Sequence, residues 1–369
     1  SGRCSGSCSG LMALASEIPA KMTLDGDRSH AANRLTFVLL IVLGIAMLGS
    51  LAIGASGASL WGALWDLATG GELALRDRVV LWEIRLPRTI MGAVVGAALA
   101  VSGATMQGLF RNPLADPGLI GVSAGAGLGA IVAIVLGGLL PIALQQALGY
   151  YVVPLAAFVG SWATTLILYR VSTRKGRTSV ATMLLAGIAL GALSGAVSGL
   201  LVYIADDTQL RTLTFWGMGS IAGATWSKLF AALPLMAATF VAAPFIAKGL
   251  NGLALGEAAA SHIGIDVQRT KNVAILAVAA SVGAAVAVSG GIGFVGLVVP
   301  HLLRLAVGPD HRYLLRNSAL LGAALLLVAD IISRMVIAPA ELPIGIIMAV
   351  IGGPFFLWIL LRRRGILDM

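Results

Sequence analysis

Ten runs of mostly apolar residues, most of them long enough to cross a bilayer, leave this chain one class of fold. They are 35–55, 86–109, 119–138, 151–169, 180–204, 227–247, 272–290, 295–307, 314–335 and 343–361, separated by charged or Pro/Gly breaks. About twenty apolar residues in a helix span a ~30 Å hydrocarbon core. Lipid admits only structures that satisfy their own backbone hydrogen bonds. The reading is an all-α polytopic membrane protein of ten transmembrane helices, the third and eighth being short or glycine-interrupted. Charged residues make up only 11% of the chain, too few to clothe a soluble domain.

The basic residues orient the bundle. With the N-terminus inside, 18 of the 25 Lys and Arg fall on inner segments and 7 on outer ones. That bias fits the positive-inside rule and puts both termini in the cytoplasm. It also accounts for the net charge of +9, which would otherwise suggest nucleic acid as a partner. Residues 1–33 are expected to form a disordered cytoplasmic tail, with Met22 as a candidate natural start and the ten-helix domain occupying 34–369. The two cysteines, Cys4 and Cys8, lie in this tail, so the core has no cysteine for a disulfide or metal site. Between the fifth and sixth runs, RTLTFWGMGSIAG (211–223) is too short to cross and is expected to lie as a surface helix.

A repeated octet bears on function. GAALAVSG (96–103) lies on the second run and GAAVAVSG (283–290) on the seventh. Five crossings separate the copies, so they run antiparallel. Runs two to five and seven to ten therefore read as an inverted repeat, a mark of transporters whose pathway lies at the repeat interface. Small-residue composition alone is the alternative source of the match. Secondary transporters usually carry acids or histidines inside their spans to couple ions. Here the span middles hold no ionisable residue, except His301 and Arg304 toward the inner side of the short eighth run. No GxxxxGK[ST] phosphate loop is present. A transporter with neither device takes its energy from a separate ATPase.

Several stretches resemble a known family: IRLPRTIMGAVVGAALAVSGATMQGLFRNPLADPGLIGVSAGAG (84–127), LLAGIALG (184–191), LALGEAAASHIGI (253–265), SGGIGFVGLVVPHLLR (289–304), LLLVADIISR (325–334) and AELPIGI (340–346). They are similar to the permeases of type II ABC importers for iron–siderophores, haem and cobalamin. The resemblance runs from about residue 35 to the C-terminus. It implies a homodimer in the bacterial inner membrane, two cytoplasmic ABC ATPases and a periplasmic binding protein. It also implies that the chain is not an enzyme and binds no cofactor itself, ATP and Mg belonging to the ATPase. The stretch ADDTQLRTLTFWGMGSIAGA (205–224) resembles haem permeases more than cobalamin ones, which makes haem the expected cargo. A secondary transporter is the distant alternative.

The resemblance also assigns residues. Arg85, Arg88 and Arg334 lie on the outer side, and the family meets its binding protein there through arginines. An interface anchor is the plainer reading. The segment 251–266 corresponds to the coupling helices that sit on the ATPase, with Leu253, Leu255, Gly256, Glu257, Ser261, His262 and Gly264 as contact or hinge residues. The inner gate aligns with Ser179, Val180 and Ala181. The pathway is expected along Gly187, Gly191, Ser194 and Ser198, a face that suits a packing seam equally well. Phe215, Trp216 and Met218 are expected to flank the cargo near the outer mouth, unless they form an interface belt. Arg211 is positioned to meet a haem propionate there, with Asp206 and Asp207 nearby opposing it. His301 and His262 are read as structural, and Gln107, Asn112, Pro113, Asp116 and Pro117 as turn formers.

Overall fold

The computed structural model describes residues 28–54, 60–62, 65, 69, 74–174 and 177–367. The expected tail lies outside these up to residue 27. Helix α1 (Ser29–Ala52) begins five residues before the expected boundary at Arg34. A short helix, Leu75–Val79, and a π-helical turn, Val80–Arg85, lead into α2 (Leu86–Leu109). There follow α3 (Val122–Leu136), α4 (Val152–Ser172) and α5 (Val180–Ile204). Then come α6 (Asp207–Gly217), α7 (Trp226–Met236), α8 (Ala238–Ala254) and α9 (Glu257–His262). The chain closes with α10 (Val267–Ser289), α11 (Val295–Val307), α12 (His311–Val336) and α13 (Ile344–Leu367). Every apolar run of the sequence coincides with one of these helices, or with the α7–α8 pair. Among the described residues, eight helical stretches are long and apolar enough to cross a membrane; Val295–Val307 and the Ile344–Trp358 part of α13 are shorter.

The chain is helical apart from one antiparallel strand pair among the described residues. In it β1 (Thr173–Arg174) sets Thr173 opposite Thr178 of β2 (Arg177–Thr178). These strands are an addition to the all-α reading, since two residues carry no period to detect.

Side-chain caps fix several helix starts. Ser179 Oγ accepts from Thr182 N at 3.3 Å and opens α5 at the expected residue. Asp206 and Gln209 form a reciprocal capping box that opens α6, so the helix expected over 211–223 starts four residues earlier and ends at Gly217, with a loop after it. Asp266 accepts from Arg269 N at 2.9 Å and opens α10.

The core lies on α2 and α10, the two helices that carry the octets. Their apolar windows are 83% and 72% buried, more than any other span. Lipid offers no hydrophobic drive between helices, so close backbone approach supplies the packing. A Cβ at Gly103 would overlap the Gly296 carbonyl of α11, and one at Gly96 would overlap the Gly322 carbonyl of α12. In the second octet, Gly283 meets Ser161 of α4, where a Cβ would lie 2.7 Å from the hydroxyl. The packing pairs also correspond between the two halves. Helix α2 packs on α11 and α12, and α10 packs on α3 and α4. Contacts of α3 with α4 and α5 are matched by those of α11 with α12 and α13, and α4–α5 by α12–α13. Exchanging α2–α5 for α10–α13 thus maps the main packing pairs onto one another.

Candidate functional site

Three groups of residues converge at separate places on this bundle. In the first, Arg85, Arg88 and Arg334 meet around the C-terminus of α1. They are brought together but face inward, at 4%, 6% and 7% exposure. Arg88 donates through Nε and Nη2 to Asp330 Oδ1 at 3.1 and 2.8 Å, and through Nη1 to Glu341 Oε1 at 2.9 Å. Arg334 Nη2 lies 3.1 Å from Asp330 Oδ2, an ion pair by distance without hydrogen-bond alignment. Its Nη1 donates to the Ile53 carbonyl at 2.9 Å, and Nη2 to Ser50 Oγ at 3.1 Å. Arg85 Nη1 donates to the Leu51 carbonyl at 2.7 Å. Two arginines therefore satisfy the last carbonyls of α1, where the helix dipole favours cations. Asp330 is fully buried, whereas the Glu341 side chain is 37% exposed. Sequence reasoning found the arginines but not these carboxylate partners. A lone acid in the apolar stretch LLLVADIISR was the available signal for Asp330.

The second group is the 251–266 segment. Leu253 is buried, while Leu255 and Ile263 stand 71% and 63% exposed. Gly256 at φ 105° and Gly264 at φ 81° turn the chain on either side of α9, conformations that favour glycine. Ser261 and His262 are exposed. Glu257 pairs with the buried Lys271 at 2.7 Å. Lys271 also donates to the Thr178 carbonyl at 2.8 Å, directly before Ser179, Val180 and Ala181, where the gate is expected. No sequence pattern signals this link, because Thr178 and Lys271 stand 93 positions apart.

The third group surrounds α5 and α6. The small-residue face of α5 divides: Gly187 and Ser194 turn into the bundle, while Gly191 and Ser198 are half-buried. Gly191, Gly195 and Gly199 look onto open space, with nothing within 4 Å of a Cβ at any of them. Phe215 is 51% exposed, and Trp216 and Met218 are half-buried. Ser220 N donates to the Ser289 carbonyl at 2.7 Å and Gly345 N to the Met218 carbonyl at 3.0 Å, which ties the loop after α6 to α10 and α13. Beside α6 lies a cavity of about 540 Å³ whose walls include Tyr150, Arg211, Phe215, Trp216 and Lys228. Arg211 stands over the Phe215 ring at 5.8 Å and Lys228 over the Tyr150 ring at 5.2 Å. Among the described residues, no carboxylate lines this cavity.

Gln107 corrects one expectation. It does not form the turn after α2; it is buried within that helix, where Oε1 accepts from Arg304 Nη1 and Nε2 donates to the Gly296 carbonyl at 3.2 Å. Asn112 and Asp116 do make turn contacts, accepting from Leu114 N and Gly118 N at 3.0 and 2.8 Å. His301 packs edge-on to Phe355 at 6.1 Å, and His262 lies at the exposed end of α9.

Comparison with known proteins identifies the family. A hemin transport system permease protein, HmuU of Yersinia pestis, is 48% identical over 327 residues, covering 88% of this chain and 95% of that protein. A vitamin B12 import system permease protein, BtuC of Escherichia coli O9:H4 (strain HS), is 42% identical over 346 residues, covering 93% and 99%. A solved structure of a metal-chelate type ABC transporter, in an inward-facing conformation, aligns with a TM-score of 0.76 at 31% identity. That alignment covers 89% of this chain and 99% of the other. Residues 39–362 match the FecCD transport family, and the chain belongs to that family as a permease of type II ABC importers.

Proposed function

We propose that this permease carries haem from the periplasm to the cytoplasm by alternating access. On this reading it acts as a homodimer of ten-span subunits in the bacterial inner membrane, with two ABC ATPases below and a binding protein above. The cavity beside α6 carries the cargo assignment. A porphyrin is a flat apolar disc with two carboxylates, and the cavity offers aromatic walls and two cations, with Asp206 and Asp207 at the start of α6 outside its described lining. Trp216 and Phe215 flank the ring, and Arg211 and Lys228 receive the propionates. Greater identity to a hemin permease than to a vitamin B12 permease supports the same assignment.

Arg85, Arg88 and Arg334 form the outer docking site for acidic side chains of the binding protein. Glu341 is the exposed member of that cluster, so an incoming carboxylate displaces it from Arg88. Leu255, Gly256, Glu257, Ser261, His262 and Gly264 form the ATPase contact, with Leu255 and Ile263 as its exposed apolar anchors and Leu253 packed beneath it. The pathway runs along α5 past Gly191 and Ser198 to the gate at Ser179, Val180 and Ala181.

The test is uptake into proteoliposomes that contain permease, ATPase and binding protein. Haem should enter only with ATP, and excess cobalamin or ferric siderophore should not compete. Uptake of either of those with haem ignored overturns the cargo and leaves the importer standing.

A further inference from the structure

All three polar atoms of Thr178 are bound by the first turns of α10. Its N–H donates to Gln268 Oε1 at 2.9 Å, its hydroxyl accepts from Gln268 Nε2 at 2.6 Å, and its carbonyl accepts from Lys271 Nζ at 2.8 Å. The hydroxyl also lies 2.9 Å from that of Thr173 across the strand pair. Lys271 is 3% exposed and gives a second bond to Glu257 in the first turn of α9 at 2.7 Å. The ammonium thus joins α9, α10 and β2 at one point, and the next residue, Ser179, caps α5.

We infer that Lys271 and Gln268 latch the strand before α5 to α9, so that displacement of α9 is delivered to the inner gate. The inference rests on the coupling role assigned above to the 251–266 segment. A buried ammonium has no water to replace a lost partner, so separating Glu257 or Thr178 from it is costly. The two Gln268 bonds fix the strand's register on α10. The four elements around the latch therefore move together more readily than they separate. A cleft of about 450 Å³ beside it, lined in part by Arg177, Glu257, Ser261 and Asp266, gives α9 room to shift while tethered. Lys271 and Gln268 are positioning residues: they touch neither cargo nor nucleotide, and they act through Thr178.

Two measurements test the latch, the first needing only the full-length permease in detergent. Glu257→Gln and Gln268→Ala should each raise hydrogen exchange across 177–183 by about tenfold, the factor for one lost charge-assisted or paired bond, while α2 stays protected. Unchanged exchange in both variants overturns the latch, whatever the cargo proves to be. In the second, Gln268→Ala is assembled with the ATPase and binding protein in proteoliposomes. ATP hydrolysis should continue while cargo imported per ATP falls several-fold. Looser exchange with an unchanged ratio overturns the coupling role. Absence of ATP-driven haem uptake in the unmodified protein counts only against the cargo, because the exchange result stands without it.

Discussion

Arg88 divides its guanidinium between two carboxylates of different exposure, and that division makes a prediction. Its Nε and Nη2 are held by fully buried Asp330, whereas its Nη1 is held by half-exposed Glu341. Reversing the charge of Arg88 would bring three carboxylates together and unfold the cluster before docking could be judged. Removing Glu341's charge is the cleaner change. Glu341→Gln should tighten binding-protein affinity several-fold at low salt, with the gain lost at high salt. The readout is Kd by surface-based or calorimetric titration at both ionic strengths. An unchanged Kd removes Arg88 from the docking surface.

At the scale of elements, glycines decide how closely helices approach, and they fall into two classes. Gly103 and Gly96 touch backbone of α11 and α12, whereas Gly191 faces open space. Gly103→Ala should lower the melting temperature in detergent, the cost being at least the ~1–3 kcal/mol of an overpacked core. Gly191→Ala, relieved of the ~1 kcal/mol helix penalty of glycine, should leave it unchanged or raised. Equal effects would show that the octets are composition rather than packing. These elements were largely legible in the sequence. The apolar runs gave the helices because lipid demands continuous hydrophobic length, and capping residues such as Ser179 gave boundaries. What stayed hidden needed the third dimension. The Gln107–Arg304 and Lys271–Thr178 bonds join residues 197 and 93 positions apart, and no local pattern announces them. The inward turn of the arginines was equally illegible, because their partners lie on α1, α12 and the loop after α12.

For the whole molecule, the question is what drives the cycle. Within the described spans, the buried acid Asp330 is already committed to Arg88 and Arg334. The other acid near the repeat interface is Asp116, in the turn after α2, where it lines a cavity of about 210 Å³. Burial raises its carboxyl above the ordinary range, against the opposing bond from Gly118 N. Among the described residues, this buried acid beside a cavity is the feature that would suit proton coupling, and its bond to the turn argues for a structural role. A protonophore should therefore leave ATP-driven uptake in proteoliposomes unchanged. Collapse of uptake, restored by Asp116→Asn, would make the chain proton-coupled instead.

The seating of α1 sets a timetable for the protein's own assembly. This helix is the first described segment to leave the ribosome, and its window is only 17% buried. Its packing is chiefly against α12, reinforced by the hydrogen bond from Thr36 to Asn317 and the one from Arg334 to Ile53. Ile53 and Arg334 are separated by 281 residues of synthesis. At translation speeds of about 5–20 residues per second, the nascent α1 waits roughly 15–60 s for its partner. Over that interval it must be held by lipid or by the insertion machinery rather than by its own fold.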